Sequence, residues 1–198
     1  MQALVEAELP VRIAAVISSR EDAAGLEIAN RYGFEIKVVD QRAHPGREAF
    51  DAALSETIDT YEPDLIALAG FMRILGDGFV NRYCGKLINV HPSLLPAFPG
   101  LGTHSRALRE GVKIHGCTVH FVTPRVDHGP IIIQSAVQVW PDDTEETLAR
   151  RVLQQEHRIF PEAVRWFAEG RLELSDNRVE VRDAVFDNSI LYSPGLHK

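Results

Sequence analysis

Short apolar runs separated by helix-like segments constrain the fold of this chain more than any other feature of its sequence. Six such runs are strand candidates: residues 13–17, 36–39, 65–68, 87–90, 118–122 and 131–139. Helical patterns separate several of them and cover residues 21–32, 47–61 and 103–110. Separations of this length suit parallel crossovers, whereas the last two strands lie close enough to pair as a hairpin. The pattern therefore predicts the α/β class, with a doubly wound, mostly parallel sheet.

A long amphipathic helix should begin near residue 143 and pack one apolar stripe on the sheet. The stripe contains Leu148, Val152 and Ile159. Asp143 and Glu146 have the spacing of a capping box, Pro161 should kink or interrupt the helix, and Gly170 should end it. Residues 172–181 then predict a small terminal antiparallel hairpin, followed by a poorly constrained tail up to Lys198.

Composition limits the classes of protein to consider. Of the 198 residues, 45% are hydrophobic and 25% are charged, which is ordinary for a globular domain with one sizeable core. A formal net charge of -7 without a basic run argues against nucleic acid as the main ligand. We find no signal-peptide pattern and no apolar run of about 18 residues, so we expect a cytoplasmic protein without a membrane partner.

Cysteine and histidine content give no strong metal or disulfide signal. Cys84 and Cys117 are too far apart in the sequence for a CxxC site and are interpreted as free thiols in a reducing compartment. Eight histidines raise a metal hypothesis, for which the best candidates are His115, His120 and His128. No H-E-x-x-H or similar ligand spacing occurs, so we expect no metal.

The stretch NVHPSLLPAFPGLGTH, residues 89–104, sets an amide and an imidazole two residues apart where a predicted buried strand ends. Pro92 lacks a backbone donor and biases His91 away from helical geometry, so the chain should leave the sheet here. Asn89 and His91 would share one face of the strand and could converge on one reacting atom. Turn and capping roles are the plainer interpretation of the same residues.

A second stretch, GCTVHFVTPRVDHGPIIIQ at residues 116–134, places Asp127 on a loop between two apolar strands. A carboxylate near a partly buried imidazole favours the imidazolium and fixes the ring tautomer, so Asp127 could support His91 in this way. The alternative is a simple turn residue before Gly129 and Pro130, which this sequence satisfies equally well.

The chain resembles the phosphoribosylglycinamide formyltransferase family of purine biosynthesis. The resemblance rests on these two stretches, on LAGFMRIL at residues 68–75 and on QQEHRIFPEAVRWFAEGRL at residues 154–172. The wider folate-dependent formyltransferase group shares the Asn, His and Asp, whereas PAFPGLGTH is closest to the glycinamide ribonucleotide branch. The resemblance covers residues 1–174 and implies a Rossmann-like formyltransferase domain there, with residues 175–198 as hairpin and tail. It also implies formyl transfer from 10-formyltetrahydrofolate to the amine of 5'-phosphoribosylglycinamide, on the route to IMP.

The resemblance also implies a role for individual residues. Asn89, His91 and Asp127 match the catalytic trio of the family, which needs no metal. Substrate contacts would come from Gly70 and Glu156. Folate contacts would come from Arg47, Met72, Arg73, Ile74, Leu75, Asn89, Thr123, Pro124, Arg125, Val126 and Asp127. Without the resemblance, FMRIL would be interpreted as a core turn and Glu156 as a solvated helix residue.

The amino end departs from the family pattern. Family members begin with an apolar strand and a Gly- and Ser-rich turn that holds the substrate phosphate, whereas MQALVEAEL resembles the helix that follows that turn. The two strands beside such a central strand would then lack a hydrogen-bond partner. We hypothesise that Met1 is an internal start and that the native protein begins upstream. A diverged member, or one completed by a partner chain, is the alternative.

Three functions are compatible with these observations. The first is the glycinamide ribonucleotide formyltransferase, with glycinamide ribonucleotide and folate as small-molecule partners and a homodimer left open. The second is a related formyltetrahydrofolate deformylase or methionyl-tRNA formyltransferase, although 198 residues leave no room for the extra domains of those enzymes. The third is a non-catalytic folate-binding protein, which the absence of the phosphate turn would favour.

Overall fold

The computed structural model describes residues 1–186, 191 and 193, so most of the predicted tail lies outside the described residues. Two classes of element alternate along this part of the chain. The helices are α1 Gln2–Glu6, α2 Ala24–Arg31, a 3-10 turn at Gln41–Ala43, α3 Arg47–Asp59, α4 Asp77–Arg82, α5 Thr103–Glu110 and α6 Glu145–Ala168. The strands are β1 Val16–Ser18, β2 Ile36–Val38, β3 Ile66–Leu68, β4 Leu87–His91, β5 Ile114–Phe121, β6 Ile131–Gln138, β7 Leu172–Ser175 and β8 Arg178–Val181.

The main sheet has four strands in the order β3-β4-β5-β6 and is mixed. β3 and β4 are parallel, because α4 and its flanking loops form a crossover, and β5 is antiparallel to both β4 and β6. β1 and β2 form a separate parallel ladder, and β7 pairs with β8. The α/β class, the β5–β6 pairing and the terminal hairpin are thus confirmed.

Two hydrophobic cores cover the two faces of the main sheet. Leu87 and Ile88 are consecutive in β4, so their side chains point to opposite faces and enter different cores. α5 and α6 pack over Ile88, whereas α3 and α4 pack over Leu87. A strand covered on both faces needs apolar side chains in succession, which explains the run KLINV.

The start and interior of α6 differ from the sequence prediction. The capping box is formed by Thr144 and Thr147, not by Asp143 and Glu146. Pro161 does not interrupt the helix, which is continuous over 24 residues. Proline in a helix costs about 3 kcal/mol or more, but Pro161 is buried among apolar neighbours whose packing offsets this cost. The predicted end is confirmed, since Gly170 follows the last turn with φ +63°.

Several element boundaries also differ from those predicted. β5 begins at Ile114, four residues before the predicted start at Thr118, and α4 was not predicted at all. β1 covers only the last part of the predicted run 13–17 and extends to Ser18. The helix expected for MQALVEAEL is present as α1. In the described part of the chain, no helix combines the length and the apolar character needed to cross a membrane.

Candidate active site

Asn89 and His91 lie near the end of β4, on the same face of that strand, as predicted. The chain leaves the sheet directly after His91, because a tight turn follows in which the Ser93 backbone N–H donates to the His91 carbonyl at 2.9 Å. His91 is 6% exposed, and Asn89 is half-buried. Both side chains are therefore held by a buried strand and lie where the loop of residues 92–102 begins.

A buried hydrogen-bond network fixes the first part of this loop. The Thr118 hydroxyl donates to the Ser93 carbonyl at 2.7 Å and accepts from the Leu95 backbone N–H at 3.0 Å. Gln134 donates to the Leu95 carbonyl at 2.8 Å and to the Thr118 oxygen at 2.9 Å. The Leu95–Pro96 peptide bond is cis. Because β5 and β6 supply the network, the loop is anchored to the sheet along its first half.

His91 and Asp127 meet although 36 positions separate them in the sequence. His91 Nδ1 lies 3.5 Å from Asp127 Oδ2, and His91 Nε2–H donates to the Phe98 carbonyl at 3.0 Å. Gly100 N–H donates to the same Asp127 oxygen at 2.7 Å. Both ring nitrogens of His91 thus face oxygen acceptors, which fixes the orientation of the ring.

His120 is a third member of this cluster, and sequence reasoning gave it no catalytic role. Its Nδ1–H donates to the Phe121 carbonyl at 2.8 Å, so its Nε2 accepts from the Asn89 amide at 3.4 Å. The same Nε2 lies 3.9 Å from Asp127 Oδ1. Burial lowers the pKa of His120 and keeps the ring neutral. Alternation along β5 places Thr118 and His120 on one face, and the β4–β5 register sets them opposite His91 and Asn89.

The predicted folate-binding residues form two segments beside this cluster. The segment from Gly70 to Leu75 follows β3, whose last residue, Leu68, is paired with Asn89. Met72 is 76% exposed and Ile74 is 60% exposed, whereas the Leu75 side chain is buried in a core. The other segment is the loop that carries Asp127. Its residues Thr123, Pro124, Arg125 and Val126 are half-buried or exposed.

The remaining predicted site residues lie in different surroundings. The Arg73 guanidinium stacks over the Phe50 ring at 4.6 Å and donates to Gln41. Arg47 is exposed at the first position of α3. Glu156 lies on α6, where it interacts electrostatically with Cys117 of β5. Burial raises the pKa of Glu156, and it also raises the pKa of the Cys117 thiol to about 12.

The three histidines considered as metal ligands are not grouped. His120 belongs to the Asp127 cluster, and His128 donates to the Val126 carbonyl at 2.7 Å. His115 Nε2 lies 3.2 Å from His104 Nδ1, and burial lowers the pKa of His115 to about 4. Among the described residues, no three His, Cys, Asp or Glu side chains are arranged to hold a metal ion.

An amide, an imidazole and a carboxylate at the end of adjacent strands can stabilise an oxyanion and move a proton. The formyl transferase family model matches residues 1–164, and the chain belongs to this family, as predicted. More particularly, the chain is 45% identical to phosphoribosylglycinamide formyltransferase of Escherichia coli (strain K12) over 181 residues. That match covers 89% of this chain and 85% of the relative.

Solved structures show the same similarity. Glycinamide ribonucleotide transformylase 1 from Symbiobacterium toebii superposes with a TM-score of 0.89 at 52% identity, covering 92% of this chain and 88% of that one. A formyltetrahydrofolate deformylase from Pseudomonas syringae pv. tomato superposes with a TM-score of 0.82 at 31% identity. This match covers 89% of this chain but only 58% of the deformylase. The chain is therefore more similar to the transformylase, both in sequence and in extent.

Proposed function

We propose that this chain transfers a formyl group from 10-formyltetrahydrofolate to the amine of 5'-phosphoribosylglycinamide in purine biosynthesis. The observation that carries the proposal is the Asn89, His91 and Asp127 cluster, present in a chain 45% identical to the Escherichia coli enzyme. The deformylase alternative is less favoured, because that relative is 31% identical and is matched over 58% of its length.

The cluster supplies what acyl transfer to an amine needs. Attack of the amine on the formyl carbon places negative charge on the formyl oxygen, which the Asn89 amide, through the N–H that does not face His120, and the neighbouring His91 ring are placed to stabilise. The Asp127 carboxylate lies 3.5 Å from His91 Nδ1 and is placed to orient the ring. Proton transfer from the amine to the departing folate nitrogen completes the exchange, with Asp127 placed to relay the proton through water.

The two segments beside the cluster fit a flat, partly apolar ligand such as a pterin. Exposed apolar surface can mark a ligand site, and Met72, Ile74 and Val126 are all exposed. We assign these segments to folate, with Leu75 contributing through its backbone because its side chain belongs to a core. Arg47, Arg73 and residues 123–125 complete the proposed folate site, and Gly70 and Glu156 are assigned to the amino substrate.

Partners and location follow from this assignment. The proposed ligands are small molecules, neither nucleic acid nor membrane is assigned as a partner, and a homodimer is left to measurement. Purine biosynthesis is the process named for related trifunctional proteins, of which the human one is 43% identical over 181 residues. This chain covers 18% of that relative. We propose a cytoplasmic location on the same basis.

Replacement of His91 tests the proposed chemistry directly. His91→Ala removes one oxyanion donor and the proton-carrying ring, so turnover should fall by roughly a hundredfold or more. Formyl transfer from 10-formyltetrahydrofolate to 5'-phosphoribosylglycinamide is followed for both proteins. Far-ultraviolet circular dichroism and folate binding show whether the variant is folded. Unchanged turnover in a folded variant would remove His91 from the mechanism.

Asp127→Asn separates chemistry from ligand binding. The amide keeps the size of the carboxylate but loses its charge, so it can no longer accept and relay a proton as the carboxylate does. We expect turnover to fall by at least about tenfold, while the Kd for folate stays within about twofold. Isothermal titration gives the Kd. If the variant instead unfolds, Asp127 acts as a structural turn residue.

A further inference from the structure

We propose that Arg106 is a positioning residue for this reaction. Its guanidinium holds the turn Phe98–Gly100, and the backbone of that turn holds both His91 and Asp127. The proposal rests on the proposed function for its kinetic consequence, but its geometric consequence can be measured without substrates. Arg106 thus lies outside the reacting cluster but helps to set the geometry of that cluster.

The turn contacts both catalytic side chains through its backbone. The Phe98 carbonyl accepts from His91 Nε2 at 3.0 Å, and the Gly100 N–H donates to Asp127 Oδ2 at 2.7 Å. The same carboxylate oxygen lies 3.5 Å from His91 Nδ1. A displacement of this three-residue turn therefore changes the distance and angle between the imidazole and the carboxylate. Catalytic geometry tolerates little displacement of this kind.

The conformation of the turn needs support. Phe98 has φ +53°, in the left-handed region that a bulky side chain rarely adopts, and Gly100 has φ +76°. Such backbone is retained where surrounding contacts determine it. The Thr118 network described above fixes residues 93–95 and thus ends before this turn. Other groups must hold Phe98 and Pro99 in place.

Arg106 provides contacts of two kinds. Its Nη1 donates to the Pro99 carbonyl at 2.5 Å, and its guanidinium carbon lies 5.6 Å from the centre of the Phe98 ring. The edge of His115 contacts the same ring, with centroids 5.8 Å apart. Arg106 itself projects from α5, which begins immediately after the loop. The Phe98 ring and the Pro99 carbonyl are thus held by one residue of a regular helix.

The test compares two substitutions of Arg106 with a control on the same helix. Arg106→Ala removes both contacts, while Arg106→Lys keeps one donor but loses the planar group that lies over Phe98. Arg109→Ala is the matched control, since Arg109 is exposed and its ion-pair partner is the neighbouring Glu110. We expect Arg106→Ala to lower kcat by about tenfold or more with little change in KM. The kcat of Arg106→Lys should lie between the kcat of Arg106→Ala and that of the unsubstituted protein.

A second measurement reports the geometry without substrates. Nitrogen-15 NMR of the His91 ring shows whether Nε2 keeps its proton, and amide hydrogen exchange reports the Gly100 N–H. In Arg106→Ala we expect faster Gly100 exchange and a changed His91 tautomer population, with exchange of β5 unaltered. These two readouts test the positioning role even if the unchanged chain transfers no formyl group, in which case only the proposed function fails.

Two results would overturn the proposal. One is an Arg106→Ala variant that matches Arg109→Ala in kcat, Gly100 exchange and His91 tautomer. The other is a general loss of protection over the whole chain in Arg106→Ala, which would show that Arg106 only stabilises the fold. Intermediate behaviour of Arg106→Lys, in both kcat and Gly100 exchange, would support the proposal further.

Discussion

The protonation of His115 should link the stability of the chain to pH. The ring is 1% exposed, and its Nε2 lies 3.2 Å from His104 Nδ1. Burial and the neighbouring His104 lower its pKa from 6.5 to about 4. The unfolded chain therefore binds a proton below about pH 6.5, whereas the folded chain does so only near pH 4. Stability should fall as pH decreases through this window.

We predict that His115→Gln removes this part of the pH dependence. Between pH 7 and pH 4, the unchanged chain should lose up to about 3 kcal/mol more free energy of unfolding than the variant. Urea titrations at several pH values measure the difference. His157→Gln, at an exposed position of α6, should follow the unchanged chain. Parallel curves for all three proteins would show that His115 does not contribute.

At the scale of elements, the start of α6 is held by a buried ion pair. The Asp143 carboxylate accepts from Arg151 at 2.7 and 2.9 Å and from the Trp140 N–H at 2.7 Å. Its side chain is 1% exposed, and the Arg151 guanidinium stacks 3.6 Å from the Trp140 ring centre. Arg151 holds the pKa of Asp143 well below its usual range. Because the folded pKa is depressed, this contribution is fully present above about pH 4 and is lost progressively as the pH falls through the depressed pKa.

Asp143→Asn should therefore destabilise the chain by about 2–3 kcal/mol at neutral pH, because Arg151 keeps a half-buried charge without its partner. The same substitution at the exposed neighbour, Asp142→Asn, should change stability by less than about 0.5 kcal/mol. Thermal unfolding at pH 7 and at pH 3 measures the stability cost of each substitution, and the cost of Asp143→Asn should be smaller at pH 3. An equal cost at both pH values would mean that the ion pair is not responsible.

The same element shows where sequence reasoning reaches its limit. Asp143 and Glu146 have capping-box spacing, but so do Thr144 and Thr147, and the choice depends on Arg151, which lies two turns further along. The spacing of residues within one helical turn does not reveal an ion pair with a residue two turns away. The placement of Asn89 and His91 on one face of β4 could be predicted, because side chains alternate between the two faces along a single strand. The position of His120 could not, because it depends on the register between β4 and β5.

At the scale of the whole molecule, the strands differ greatly in how they are held. β5 has a neighbour on each edge, and all its residues after Ile114 are buried. β1 and β2 are three residues long, pair with each other, and are half-buried or exposed. Within the described residues, no ladder joins β1 to β3. Local opening requires less free energy where few buried contacts and short ladders are broken.

We predict that amide hydrogen exchange divides the chain into two cooperative units. Amides of the β1–β2 ladder, and that of Val39, which directly follows β2 and donates to the Ser18 carbonyl of β1, should exchange at least about a hundredfold faster than those of Val119 and Phe121 in β5. Opening of β5 should require global unfolding, so its exchange should follow the free energy measured in urea, whereas exchange in the ladder should not. Mass spectrometry of peptic fragments resolves the two regions. A single common rate would show that the parallel β1–β2 ladder belongs to the same cooperative unit as the main sheet.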